Sequence, residues 1–389
     1  MNLLIIGGTG VLSSAVTEEA QKKGISVTMI NRGRRPIPDG VELIRADMND
    51  HKTITEKLAG RQFDAVMDFL CYSDNATQKS VELYSKYAKQ YLFISSCAVY
   101  DTASLNGQIA FEDSKKVLSI WNYSVNKWKS EELLMSFCKG KNVKYTIIRP
   151  SVTYGDTRIP YGISPVYGYH WTLCARILAE KPIIRWNGGI NRCNIMRVED
   201  FAVGVIGLID NPHAYNEAFN VCGDEAPSWN DVLSVLEDYL GKKAIIVDIP
   251  SEFYAKHLPE RAGEILGGRS IDTINSNNKI KKIVPEFKQN ISLKEGIVRT
   301  LNAYKNNNYQ HGIDWAFDGN TDRIVKAWCK HEGVEIGRYN IEFVDYLNNA
   351  TDKDKRQYRM AKSQFYIKMN WIMSLVMRIA SKIKRTIIH

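Results

Sequence analysis

Leu3-Leu4-Ile5-Ile6-Gly7-Gly8-Thr9-Gly10-Val11-Leu12-Ser13 is the stretch that decides the fold of this chain. Leu3–Ile6 is apolar at every position, as suits a strand buried on both faces. Glycines follow where the chain must turn, and from Val11 to Lys23 the apolar positions take a helical period. A strand, a glycine turn and a helix in that order gather free N–H groups and the positive end of the helix dipole at one spot. That spot suits a pyrophosphate, so Gly7, Thr9, Gly10, Val11 and Leu12 are candidates to contact a dinucleotide. Ser13 stands where a third glycine is usual, which predicts slightly looser packing of the helix on the strand.

The same alternation continues outward from this turn. Strands are expected over Leu3–Gly7, Ser26–Ile30, Val41–Ala46, Ala65–Asp68, Tyr91–Ser95 and Tyr145–Arg149, with helices such as Val11–Lys23 and Ala76–Lys86 between them. Doubly buried strands separated by helices imply an α/β fold built on a doubly wound parallel Rossmann sheet. After Ser151 the texture changes to loops rich in Pro and Gly, with helices resuming at His170–Glu180, Val198–Asp210 and Ser228–Leu240. Ser228 with Asp231 three residues on reads as a capped helix start. The organisation expected is a dinucleotide-binding domain over 1–165, with a return segment near 198–225 that brings Phe219-Asn220-Val221 back to the sheet. A smaller, mainly substrate-binding C-terminal domain follows over 166–310, and an added helical tail over 311–389, with Lys305–Gly312 as a polar linker or loop.

Composition bounds the class. The 389 residues are 44% apolar and 24% charged, ordinary values for a soluble globular protein. The first residues show no basic leader before a long apolar core, and no stretch reaches a spanning length, so a cytoplasmic protein is expected. Seven scattered cysteines without a Cys-x-x-Cys, and dispersed histidines, argue against a disulfide framework and against a metal site. Residues 351–389 hold ten Lys/Arg and two Asp, a net +8 out of the chain's +9. Any attraction to polyanions therefore belongs to the tail, and no nucleic-acid partner is expected for the body of the chain.

The second strand ends Met29-Ile30-Asn31-Arg32-Gly33-Arg34-Arg35. An acidic residue there would accept hydrogen bonds from a ribose and favour NAD, whereas arginines suit a 2′-phosphate. Asn31, Arg32 and Arg35 thus lean the choice toward NADP, with NAD the alternative. Asp47 and Met48, after the third strand, are placed for the adenine, and Phe69 begins the nicotinamide side of the cleft.

Ser96 closes the run Tyr91–Ser96, and Tyr123 and Lys127 follow four residues apart on one helical face. An ammonium beside a phenol favours the phenolate, so such a Tyr can take a proton from a substrate alcohol that the Ser hydroxyl holds. Tyr239/Lys243 and Tyr358/Lys362 share the spacing, but only Tyr123 lies between two predicted strands downstream of the nucleotide-binding turn.

Over about residues 1–310 the chain resembles the extended short-chain dehydrogenase/reductase family, in its nucleotide-sugar epimerase/dehydratase branch. The resemblance rests on Gly7–Ser13, Asp47, Ser95-Ser96-Cys97-Ala98-Val99-Tyr100, Tyr123–Lys127, Arg149-Pro150 with Tyr154-Gly155, Val198-Glu199-Asp200 and Asn220-Val221-Cys222-Gly223. It implies that Tyr123 is the catalytic acid/base, that Lys127 binds the nicotinamide ribose and keeps Tyr123 acidic, and that Ser96 positions the reacting hydroxyl. It also implies a nucleotide-sugar substrate, NAD(P), and a homodimer. An epimerase that returns the hydride to the other face of a keto-sugar is the leading expectation. A net keto-sugar reductase or dehydrogenase, and a non-catalytic NAD(P)-binding sensor or RNA-binding protein, are the alternatives.

Departures from the family pattern narrow the reaction. Cys97 and Ala98 stand where 4,6-dehydratases of the family carry an Asp-Glu pair, so water elimination lacks its acid and base. Cys97 and His170 resemble a second acid/base pair of one family branch, each a residue out of register. The plain alternatives are a small buried side chain and a packing residue. Arg192 and Arg197 lie near positions at which the family grips a diphosphate. In the tail, Met369, Ile372, Val376, Ile379 and Ile383 form an apolar stripe opposite Arg378 and Arg385. A helix over 365–388 would either lie on an anionic membrane surface or pack against its own domain or a dimer partner.

Overall fold

The computed structural model describes residues 1–116, 121–165 and 171–363. His170 and the 365–388 segment lie outside these residues. Eleven strands order the described chain: β1 (Asn2–Ile6), β2 (Ser26–Asn31), β3 (Glu42–Arg45), β4 (Phe63–Asp68), β5 (Ala88–Ile94), β6 (Lys144–Pro150), β7 (Val152–Tyr154), β8 (Ile183–Trp186), β9 (Ile195–Arg197), β10 (Glu217–Val221) and β11 (Ile246–Ile249). Seven of them form one sheet in the order β10-β6-β5-β4-β1-β2-β3, parallel throughout. The order reverses between β1 and β4, where Ile6 pairs with Asp68, and a crevice opens beyond their C-terminal ends.

The strand pattern dictates the two layers. Leu3 and Ile5 face Val16 and Ala20 of helix α1 (Val11–Lys22) together with Phe201 and Val205. Leu4 and Ile6 face the opposite way, against Val81, Tyr84 and Leu134. All four strand side chains are fully buried, each worth about 1.5–3 kcal/mol relative to exposure. The turn into α1 needs Gly8: its φ is +86°, and a Cβ there would collide with the Met29 side chain. Ser13 does not loosen the packing as expected. It is buried, and its hydroxyl accepts the Gly10 N–H at 2.9 Å and so caps the helix that it belongs to.

The second half has its own core, built around Trp186, Trp229, Leu236, Leu301 and Val325. The short parallel pairs β8/β11 and β7/β9 frame it. The helix Trp229–Leu240 begins at the Ser228/Asp231 capping box read in the sequence and stops at Gly241, whose φ is +62°. The polar stretch Lys305–Gly312 is less of a linker than expected. The helix Leu293–Asn306 runs into it, and a single turn at Tyr309–His311 follows.

Helices Trp315–Glu332 and Asp352–Lys362 of the extension pack on each other and contribute Ile324, Val325, Cys329 and Tyr358 to this same core. Four fully buried charges join the two parts. Arg176 binds Asp318 and also Asp322 at 2.9 Å, and Lys181 reaches the same two carboxylates at 3.1 and 2.6 Å. Tyr346 and Tyr358 donate hydroxyls to Asp318 and Asp322 at 2.7 and 2.6 Å. Among the described residues no helix is long and apolar enough to cross a membrane.

Candidate active site

The helix Asn122–Cys138 carries Tyr123 and Lys127 and is anchored to the sheet by its buried Glu131. That carboxylate accepts Arg149 Nε at 3.0 Å and Nη2 at 2.6 Å, and also takes the Ser95 hydroxyl. Arg149 extends the lock to the Tyr100 hydroxyl at 2.8 Å. The lock fixes the helix against the ends of β5 and β6, where Ser96 begins a short turn. Ser96 Oγ accepts the Ala98 N–H at 3.1 Å and lines the same cavity as the Tyr123 side chain.

Two cavities meet at this helix. A cleft of about 810 Å³ runs over the ends of β1, β2 and β4, and a second cavity of about 510 Å³ lies beyond it. Tyr123, Val11, Leu12 and Pro150 line both. Lys127 lines the first, Ser96 the second.

The electrostatics depart from the sequence expectation. Burial raises the Tyr123 phenol above its ordinary value, and the nearby Ser96 hydroxyl and the charges of Arg269 and Arg158 pull it back only in part. Lys127 is not what acidifies it. The ammonium lies 6.0 Å from the Tyr123 ring centre and donates instead to the carbonyls of Cys71 and Ile94 at 2.8 and 2.7 Å. Burial lowers Lys127 itself to about 8, against the opposing pull of Cys71, Asp68 and Glu131.

The larger cleft collects the residues assigned to a dinucleotide. Gly7, Thr9, Gly10, Val11 and Leu12 form its floor at the start of α1. Asn31, Arg32 and Arg35 line its flank, and Asp47, Met48, Phe69 and Lys127 line the remainder. Asn31 is occupied by its own turn: its amide donates to Gly7 C=O at 3.0 Å and accepts the Gly33 N–H at 2.7 Å. Arg35 donates to Thr9 C=O at 2.7 Å. Asp47 sits below the usual carboxylate range because it accepts the Asn49 N–H, and because Arg32 and Arg34 stand nearby. These residues fit a dinucleotide. Gly7 and Gly8 keep φ at +104° and +86° and hold side chains away from the helix end, whose first turn carries no acidic residue, and basic groups stand nearby.

The substrate candidates separate. Cys97 lines the smaller cavity, but its thiol donates to Arg149 C=O at 3.1 Å, and burial pushes its proton affinity well up, so it is not poised as an acid/base. Arg192 does not line the cavity; it is 53% exposed and pairs with Asp272. Arg197 is buried and spent on Asp156, Glu199 and Thr300. The cations that do line the cavity are Arg158 and Arg269, with Glu264 between Arg269 and Arg261. Sequence reasoning missed them because they arrive from segments about a hundred residues apart. The only local signal is Gly267-Gly268 beside Arg269, in a π-helical turn at Ile265–Arg269 of a kind frequent at functional sites.

With this geometry in place, the comparisons agree on a class. The profile of the NAD dependent epimerase/dehydratase family matches residues 3–222, more than half of the chain, and the protein belongs to that family. Membership sets the cofactor class as NAD or NADP. The chloroplast stem-loop binding protein of 41 kDa b from Arabidopsis thaliana is 26% identical over 238 residues, which are 57% of this chain but only 59% of that protein's length. A putative UDP-glucose 4-epimerase of Methanocaldococcus jannaschii is 23% identical over 79% of this chain and 99% of its own. Among solved structures, the fold is shared with the UDP-glucose 4-epimerase of Thermotoga maritima bound to UDP-glucose, with TM-score 0.63 and 17% identity over 79% of this chain and 99% of that one. It is also shared with the UDP-glucuronic acid 4-epimerase of Bacillus cereus bound to UDP-glucuronic acid and NAD, with TM-score 0.61 and 17% identity over the same shares.

Proposed function

We propose that the protein epimerises a secondary alcohol of a nucleotide-linked sugar, with Tyr123 as acid/base. The observation that carries this reading is Tyr123, which lines both the dinucleotide cleft and the second cavity and shares the second with Ser96. A hydroxyl at that junction is within reach of one group that holds it and another that exchanges its proton. When bound, NAD(P) supplies a reversible hydride acceptor. Ser96 positions the substrate oxygen. Tyr123 takes the proton as the alcohol is oxidised and returns it when the ketone is reduced from its other face. Burial keeps the phenol protonated, so that it holds the proton for the return step, and the Ser96 hydroxyl with Arg269 and Arg158 favours the phenolate needed for the forward one. Lys127 orients the nicotinamide ribose in this reading, which its position at the wall of the cleft, donating to two carbonyls, supports.

The experiment is turnover of UDP-linked sugars with and without added NAD(P). An epimerase interconverts them without consuming external cofactor; a stoichiometric absorbance change would instead identify a net oxidoreductase. Tyr123→Phe should abolish turnover while dinucleotide binding persists, and retained turnover would remove Tyr123 from its role. A non-catalytic nucleic-acid-binding protein is the less favoured reading, because the basic excess is confined to 351–389 and Ser96, Tyr123 and Lys127 are all in place. No turnover of any UDP-linked sugar by the wild type, with RNA binding by the body of the chain, would support it.

A further inference from the structure

The smaller cavity holds a charge imbalance. Arg261 and Arg269 share one carboxylate: Arg261 Nε donates to Glu264 at 2.9 Å, and Arg269 Nε and Nη2 donate to it at 3.2 Å. Arg158 lines the same cavity, yet its guanidinium makes no hydrogen bond or ion pair with any described residue. An enclosed guanidinium without a partner is costly, and enclosed charges are ordinarily paired. Burial and the repulsion of Arg269 lower its proton affinity to about 10, which still leaves it charged at neutral pH. Two lining cations, Arg158 and Arg269, stand against one carboxylate that Arg261 also engages, which leaves the wall ready for an anion.

The position of these cations narrows what the anion is. A Cβ on Gly268 would come within 2.9 Å of Trp121, and the Trp121 ring lies 5.1 Å from that of Tyr123. The turn bearing Arg269 is therefore pressed against the wall that carries the phenol. The fields of both Arg269 and Arg158 reach that phenol. A nucleoside-diphosphate sugar brings a diphosphate, for which the Glu264-held arginines provide cations. The unheld Arg158 implies a second anionic group, close to the carbon on which Tyr123 acts.

We propose that the cavity selects nucleotide-linked sugars bearing a carboxylate on the sugar itself, with Arg158 as the bidentate partner of that carboxylate. This inference rests on the epimerase reading above. A planar fork of donors matches a carboxylate, and a lysine ammonium does not reproduce it. Because the guanidinium has no hydrogen-bond or ion-pair partner among the described residues, replacing it orphans no buried group among them.

The test compares UDP-glucuronate with UDP-glucose, in turnover and in calorimetric binding, for the wild type, Arg158→Gln and Arg158→Lys. The wild type should prefer UDP-glucuronate, and Arg158→Gln should lower that preference by about 10- to 100-fold, the range for a lost charge-assisted contact. Arg158→Lys should recover part of it. Loss of both ligands in the same proportion would assign Arg158 to the diphosphate that they share and overturn the proposal. So would wild-type preference for UDP-glucose, or binding of neither sugar. Selective binding of UDP-glucuronate without turnover would keep the Arg158 assignment and refute the epimerase reading instead.

Discussion

Replacing Glu131 by Gln tests the lock that holds the Tyr123 helix. Glu131 is fully buried and Arg149 is 3% exposed, so neither charge is relieved by water. Gln keeps the shape but removes the charge, leaving the Arg149 guanidinium to the Tyr100 hydroxyl at 2.8 Å and the Glu112 carbonyl at 2.9 Å. Breaking a buried ion pair by removing one partner costs about 3–5 kcal/mol, about a fifth or more of a stability of roughly 5–15 kcal/mol. Urea unfolding followed by tryptophan fluorescence should show an unfolding free energy lowered by that amount, with a correspondingly lower midpoint. Turnover should fall as well, because Ser95, which is bonded to Glu131, precedes Ser96 in the chain. Removing both charges, in Glu131→Leu with Arg149→Met, should recover much of the lost stability, since a buried pair replaced by apolar groups is often neutral. A loss below about 1 kcal/mol in the single variant would show that the pair does not anchor the helix and would refute the reasoning.

Lys127 sets a pH dependence. Its folded pKa of about 8 lies below its ordinary 10.5, so between those values the unfolded chain binds more protons and stability should rise with pH. Turnover that needs the ammonium should move oppositely, declining above about pH 8; Lys127→Arg, whose charge persists, should show neither trend. Gly8→Ala, which forces a side chain into a φ of +86° and onto Met29, should destabilise by more than about 1 kcal/mol in thermal melts and weaken dinucleotide binding; an unchanged variant would show that the turn can rearrange. Replacing Arg32 and Arg34 by Gln should lower NADP affinity relative to NAD by about tenfold or more in fluorescence titration, and an equal loss for both would remove the 2′-phosphate assignment.

What could be read from the sequence was local. Six sheet strands were legible because each is a short apolar run between turn signals, and the Ser228/Asp231 cap was legible because its two partners are three residues apart. Gly7–Leu12 and Tyr123 were legible for the same reason, as turn chemistry and helix spacing. Long-range pairing was not. Arg192 and Arg197 read as free cations, whereas Asp272, from eighty residues away, occupies the first and Thr300 and Asp156 help to occupy the second. The Tyr–Lys spacing places two side chains on one face but says nothing of the carbonyls of Cys71 and Ile94 that draw the ammonium away. Arg158 and Arg269 became visible as a pair only once the fold had brought their segments to one wall.

The cross-linking of Arg176 and Lys181 with Asp318 and Asp322 has a consequence for where this protein can be cut. The region that resembles its relatives ends near residue 310, yet a chain stopped there would keep two cations in an apolar interior and lose both counter-charges. The boundary drawn by ancestry is thus not a boundary of folding. The added helices act as a keystone of the fold, and a shortened version designed on homology alone should emerge from expression as insoluble material.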